Sequence, residues 1–242
     1  MNRTDLDLLR QYDTPTICNV IELFDVRPRT AGYMDSRIRA CFPDFAPVVG
    51  YASTATIRGA FSHRQRSTYK SLDEQVKMFA DLPGPAIVVF QDLDDPPVAA
   101  TFGEIMCASY QAFGASALIT SGAARDLEQV RRLGFSVFSD GAICSHGYTH
   151  ILSVHEPVRV GGIAVHPGDL LHADVNGVTT IPVEIGSEVA HAAAEYCAAE
   201  AVVLDYLKTG LRNVTGFAQA RQESLHRIAE LGNRVRARRA MA

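Results

Sequence analysis

The sequence contains no CxxC pair, no HExxH, no GxGxxG, no GxxxxGK[ST] and no GxSxG. Without the glycine-rich loops, Rossmann and P-loop nucleotide binding lose their main support, and without the serine elbow so does the usual hydrolase chemistry. The cysteines, Cys18, Cys41, Cys107, Cys144 and Cys197, are widely scattered. That argues against a zinc knuckle or a disulfide framework and suits a reducing compartment. No apolar run approaches the ~20 residues of a membrane span, and the N-terminal MNRTDLDLLRQYD lacks the apolar core of a signal peptide. Excess charge is also scarce. Lys and Arg number 23 against 27 Asp and Glu, a net charge of −4 that disfavours a track along duplex phosphates. No internal repeat or low-complexity segment is present. The expectation is a cytoplasmic α/β protein with no membrane and no nucleic-acid partner.

What is present is an ordinary globular mixture of 47% apolar and 21% charged residues, long enough to bury a sizeable core. Asp5–Tyr12 has a helical pattern. Thr14-Pro15 is expected as N-cap and first residue of a second helix carrying Ile17, Val20, Ile21 and Phe24. Val48–Gly59 is expected as a strand, Ser71–Leu82 as a helix stopped by Pro83-Gly84-Pro85, and Ala86–Phe90 as a buried strand. Beyond Ser139 the texture changes to short strands and turns, with Asn176-Gly177 as a two-residue hairpin signal. Glu184–Leu207 is Ala-rich and helical, with a break expected near Ala201. A last helix from about Phe217 carries Leu225, Ile228, Leu231 and Val235 on one stripe. Arg234, Arg236, Arg238 and Arg239 close the chain and are expected to be a solvated terminus. The division expected is a main domain over 1–207 and a helical extension with a basic tail over 208–242.

The chemistry concentrates between Gly103 and Gly141. Gly103-Glu104 opens a helical pattern with Ile105, Met106, Tyr110 and Phe113 on its apolar face. Ala115–Thr120 is a strand, Ser121-Gly122 a tight loop, and Arg125-Asp126 precedes a short helix ended by Gly134. A helix N-terminus offers unpaired N–H groups to a carboxylate, and Gly103 lets a ligand approach the backbone. Glu104 also fits a plain first-turn acid. Asp126 is either the N-cap of the following helix or a ligand for Mg²⁺ or Mn²⁺. Arg125 is a forked donor for a carboxylate or keto oxygen in the second case. Spacing alone does not decide between these. In Ser145-His146-Gly147-Tyr148-Thr149-His150 an extended backbone would point His146, Tyr148 and His150 to one side, as pocket-lining or as structural residues. Zinc would need further ligands that the sequence does not supply.

Gly103-Glu104, then Gly122-Ala123-Ala124-Arg125-Asp126-Leu127-Glu128 one strand later, resembles the RraA-like family, which includes 4-hydroxy-4-methyl-2-oxoglutarate/4-carboxy-4-hydroxy-2-oxoadipate aldolases. The run Val160-Gly161-Gly162 through His166-Pro167-Gly168-Asp169-Leu170 to Ala173-Asp174 and Gly177-Val178 resembles it too, as does the order of parts over roughly residues 14–205. The resemblance implies an α/β sandwich of the swivelling phosphohistidine-domain type, assembled as homotrimers or homohexamers with clefts between subunits. It implies Asp126 as the metal residue and Arg125 as substrate-binding and catalytic. The Ile105 and Met106 N–H groups would receive a pyruvyl carboxylate beside Gly103. Glu104 would be an acid bonded to metal-bound water, and Glu200 (or Glu195) would reach over from a neighbouring subunit. The implied reaction is Mg²⁺- or Mn²⁺-dependent cleavage of a 2-oxo acid through a pyruvate enolate, by retro-aldol or by decarboxylation of oxaloacetate. A non-catalytic regulator acting by protein contacts, or another lyase or hydrolase on the same scaffold, are the alternatives. The SHGYTH segment, the tail, and Asn19 where relatives carry Asp depart from the pattern. His146, Tyr148 and His150 are therefore the candidates for recognising the distal half of the substrate.

Overall fold

A computed structural model describes residues 1–62 and 70–241. The chain begins with α1 (Arg3–Leu9) and α2 (Thr14–Glu22), followed by β1 (Arg39–Ala40), β2 (Val48–Arg58) and α3 (Leu72–Lys77). Next come β3 (Ala86–Asp92), β4 (Ala100–Phe102), α4 (Glu104–Ala112), β5 (Ala115–Thr120), β6 (Ala123–Ala124), α5 (Leu127–Leu133) and β7 (Ser136–Ser139). The remainder is β8 (His150–Val154), β9 (Val158–Val160), β10 (Ile163–Val165), β11 (Leu170–Asp174), β12 (Gly177–Ile181), α6 (Gly186–Lys208) and α7 (Val214–Met241).

β2 organises the mixed sheet. It pairs in parallel with β3 from Tyr51↔Ala86 to Ile57↔Asp92. Its other edge is shared, antiparallel to β11 at its start and to β8 at its end. The main path runs β1-β7-β5-β3-β2-β11-β12, with β8 beside β2. β3 reads as an unbroken apolar run because both of its faces are buried, as parallel strands require. Val88 and Phe90 join Tyr110, Leu118, Val130 and Val137 under α3, α4 and α5, while Ile87 and Val89 pack with Ile119, Val158, Val160 and Val165 under the β9–β10 hairpin. A third core joins Val49 and Tyr51 of β2 to Leu9, Ile17, Leu170, Val189, Leu231 and Val235, so α1, α2, α6 and α7 share one apolar layer. This is the expected α/β sandwich with added C-terminal helices.

Several local expectations change. The N-cap of α2 is Asp13, whose carboxylate accepts from Thr16 N–H at 2.8 Å, and Thr14 is already helical. α3 has a capping box, Ser71 with Glu74, but from Met78 to Asp81 it tightens to a 3₁₀ turn. The hairpin loop is Val175-Asn176, since Gly177 already pairs with Asp174. The Asp174 carboxylate, accepting from Asn176 N–H at 2.7 Å, sets that register. α6 is unbroken over 23 residues, because its alanines favour helix and its inner face packs on α1 and α2. The basic end of α7 is partly engaged with the domain: Arg236 donates to Leu23 O at 2.8 Å and Arg234 pairs with Glu195.

Candidate active site

Two helix starts meet at one place. β4 and β6 form a short parallel ribbon, Ala100↔Ala123 and Phe102↔Ala124, and Arg125 N–H donates to Phe102 O at 3.2 Å. The ribbon sets Gly103, at the head of α4, against Arg125-Asp126, at the head of α5. Segment 141–145 flanks it: Ala124 N–H donates to Gly141 O at 2.9 Å and Ala100 N–H to Ser145 O at 2.8 Å. Behind the ribbon, Thr101 and Thr120 share a buried hydroxyl contact of 3.1 Å.

Asp126 does not cap its own helix. Its backbone is left-handed (φ +54°, ψ +37°), and its side chain makes no bond to the first turn of α5. Instead Oδ2 accepts the N–H of Glu104 at 3.1 Å, with Arg125 Nε 3.8 Å away. A non-glycine residue in the left-handed region is strained, and such strain persists where surrounding contacts fix it. Both contacts use Oδ2, and among the described residues Oδ1 accepts no hydrogen bond.

α4 is thus capped from outside. Gly103 offers no side-chain cap, and the first intrahelical bond is Cys107 N–H to Gly103 O at 3.1 Å. With Glu104 N–H taken by Asp126, the amides of Ile105 and Met106 have no acceptor among the described residues. These are the orphan donors of a helix start, at its positive end. Glycine is needed at 103 because of close approach: a Cβ there would overlap Asp126 Oδ2 and lie 3.1 Å from Arg125 Nε. The side chains of Arg125 and Asp126 are each about one-third exposed.

These groups line a cavity of about 380 Å³ together with Leu72, Thr101, His146 and Thr149. Gly103, Glu104, Ile105, Met106, Arg125, Asp126 and His146 are therefore brought together. Tyr148 and His150 do not line the cavity. The extended reading of SHGYTH fails because Gly147 adopts φ +50° and Thr149 N–H closes a turn on His146 O at 3.0 Å. His150 begins β8, with Nδ1 2.8 Å from Tyr148 O. Glu200 lies elsewhere in the same chain, with Tyr196 in a groove between α6 and α7. Thr101 and Thr149 escaped the sequence reading. A lone threonine carries no motif, although Thr149 sits inside the segment singled out. Cys107 is fully buried, and burial pushes its thiol up, away from the thiolate that a nucleophile requires.

Among the described residues, no three His, Cys, Asp or Glu side chains converge as a metal cage. Mg²⁺ does not need one, because it keeps several waters and takes one or two carboxylates. The unpartnered Oδ1 of Asp126, fixed through Oδ2, fits that donor set.

Comparison with known proteins agrees on the family. A family model described as RraA-like, aldolase/RraA, matches residues 14–180. A Halalkalibacterium halodurans protein named "Putative 4-hydroxy-4-methyl-2-oxoglutarate aldolase" is 31% identical over 106 residues, covering 43% of this chain and 50% of that protein. Protein DlpA of Legionella pneumophila is 28% identical over 116 residues, covering 47% of this chain and 18% of DlpA. The chain thus spans half or less of the length of these curated relatives. Among solved structures, an uncharacterized protein from Pseudomonas syringae superposes with a TM-score of 0.72 at 21% identity, over 92% of this chain and 94% of that one. RraAS2 of Streptomyces coelicolor, described as an unusual member of the RNase ES inhibitor RraA family, superposes with a TM-score of 0.67 at 20% identity, over 83% and 96%. At such identities the likeness concerns the fold. With the model covering most of the chain, the protein belongs to the RraA-like family.

Proposed function

We propose that the protein is a divalent-metal-dependent lyase that cleaves a C–C bond in a 2-oxo acid or diacid through a pyruvate-type enolate. The observation that carries this is the crossed capping: Asp126 takes the Glu104 amide and leaves the Ile105 and Met106 amides open beside Arg125. Two convergent N–H groups suit a substrate carboxylate. The Arg125 guanidinium, next to them, suits the keto oxygen on which charge develops. Glu104, which also lines the cavity, would help a water to remove the proton of a 4-hydroxyl. Asp126 would hold Mg²⁺ or Mn²⁺, which when bound stabilises the developing enolate charge. Oxaloacetate decarboxylation needs the same enolate and follows as a side activity. His146 would meet the distal part of the substrate. Glu200 would serve the site from a neighbouring subunit of a homotrimer or homohexamer.

The test is pyruvate release from 4-hydroxy-4-methyl-2-oxoglutarate and from oxaloacetate, with and without Mg²⁺. Asp126→Ala is expected to abolish metal-dependent release and Arg125→Ala to lower it by ~100-fold or more. Full activity in either variant, or in excess chelator, refutes the mechanism. No release from any oxo acid favours the non-catalytic regulator instead.

A further inference from the structure

The loop after α2 builds in a guanidinium and gives it no acid. Arg27 Nη1 donates to Thr180 Oγ1 at 2.8 Å and Nη2 to Thr179 Oγ1 at 3.2 Å. Each hydroxyl in turn donates to Gly32 O at 3.0 Å, which leaves its lone pairs for Arg27. Gly32 (φ +88°) makes the room, since a Cβ there would overlap the guanidinium. Thr179 is fully buried. The side chain is therefore held rigidly, and among the described residues two of its five N–H donors are engaged.

A cavity of about 110 Å³ opens beside it, lined by Cys18, Ile21, Glu22, Arg29 and Tyr33 among others. Among the described residues Glu22 is the one acid of that lining, and it is paired with Arg29 at 3.3 Å. The Cys18 thiol stays neutral, because burial pushes it up. Burial also lowers the pKa of Arg27 itself. Among the described residues Arg27 has no carboxylate partner, so the cavity carries two guanidinia against one acid. A half-buried, pre-oriented fork with spare donors is completed by a planar or tetrahedral oxyanion. The volume admits one such group and little more.

We propose that this cavity receives one small free oxyanion, a carboxylate or phosphate group, on Arg27. It shares no residue with the Gly103–Asp126 cavity and does not depend on the lyase reading.

The experiment uses the full chain, with inorganic phosphate and acetate in turn, each against chloride at equal ionic strength. Binding is read by calorimetry and by thermal unfolding. Wild type is expected to bind at least one anion with a saturable rise in Tm. Arg27→Met is expected to lose about tenfold or more in affinity, and Thr180→Val to lose severalfold, with pyruvate release unchanged in both. Arg27→Lys keeps the charge but not the fork, and covers the case that Arg27→Met fails to fold; it too is expected to lose affinity. Equal binding by wild type and both Arg27 variants, or no anion response beyond chloride, overturns the proposal. Sedimentation distinguishes the other source. If neither anion binds and Arg27→Lys breaks an assembly that wild type forms, the group is filled by another copy's carboxylate and the free-anion receptor is wrong.

Discussion

Gly103→Ala isolates the role assigned to crossed capping. Gly103 sits at φ −150° and ψ −167°, an extended conformation open to any residue, so the backbone has no objection to alanine. The objection comes from across the ribbon, where the new methyl would overlap Asp126 Oδ2 and press on Arg125 Nε from 3.1 Å. An ordinary contact distance requires the carboxylate to retreat by roughly 1 Å. That stretches the Glu104 N–H bond, now 3.1 Å, beyond useful length. A hydrogen bond to a charged group is worth about 1.5–3 kcal/mol, and part of it is recovered from water at this partly exposed site. The expected stability loss is ~1–2 kcal/mol, or a fall in Tm of ~2–8 °C for a chain of this size. The catalytic loss should be larger in proportion, because misplacing a reacting group by about 1 Å costs ~100-fold. The assay is Mg²⁺-dependent pyruvate release with parallel thermal unfolding. Gly114→Ala is the control: nothing lies within 4 Å of its Cβ, but φ is +90°, so it should lose stability without a specific rate defect. If Gly103→Ala keeps the wild-type rate and Tm, Asp126 is not held as argued.

Three further outcomes follow from other parts of the molecule. Tyr110 Oη donates to Gln75 Oε1 and Gln75 Nε2 donates to Ser53 O at 3.1 Å, all buried. Tyr110→Phe should therefore cost ~1–3 kcal/mol in urea unfolding by orphaning the amide oxygen, and no change would refute the network. Burial, with Asp94 nearby, raises the pKa of Asp92 to about 6 from 3.8, so between those values the folded state binds the extra proton and stability grows as pH falls. Asp92→Asn should accordingly be more stable than wild type at pH 7–8, by on the order of 1 kcal/mol after allowing for partial exposure, and lose that advantage by about pH 4. A pH-independent difference would refute this assignment. Leu231→Ala on α7 should cost ~2–5 kcal/mol, since Leu231 is 2% exposed in the layer shared with α1 and α6; a neutral result would show that α7 is not anchored there.

What the sequence made legible follows the range of the interactions concerned. β3 was readable because an apolar run such as Ala86–Phe90 reports two buried faces directly. Gly134 ended α5 as expected, because a left-handed terminal residue is a local matter. SHGYTH was not readable. Its alternation suggested a strand, but a turn at Gly147 and the long-range bond from Ala100 N–H to Ser145 O decide its path.

Asp126 shows the limit most clearly. The N-cap reading of its sequence assumed that the amide it takes belonged to its own helix. The amide it takes belongs to Glu104, 22 residues earlier. What joins the two is the β4–β6 ribbon, three residues paired with two, too short to show any periodicity. A site made where two elements cross is invisible to any window that follows the chain. Its trace in the sequence is the glycine that lets the crossing close. Gly103 looked like room for a ligand, and the space it leaves is also needed by Asp126, whose position fixes which amides remain for that ligand.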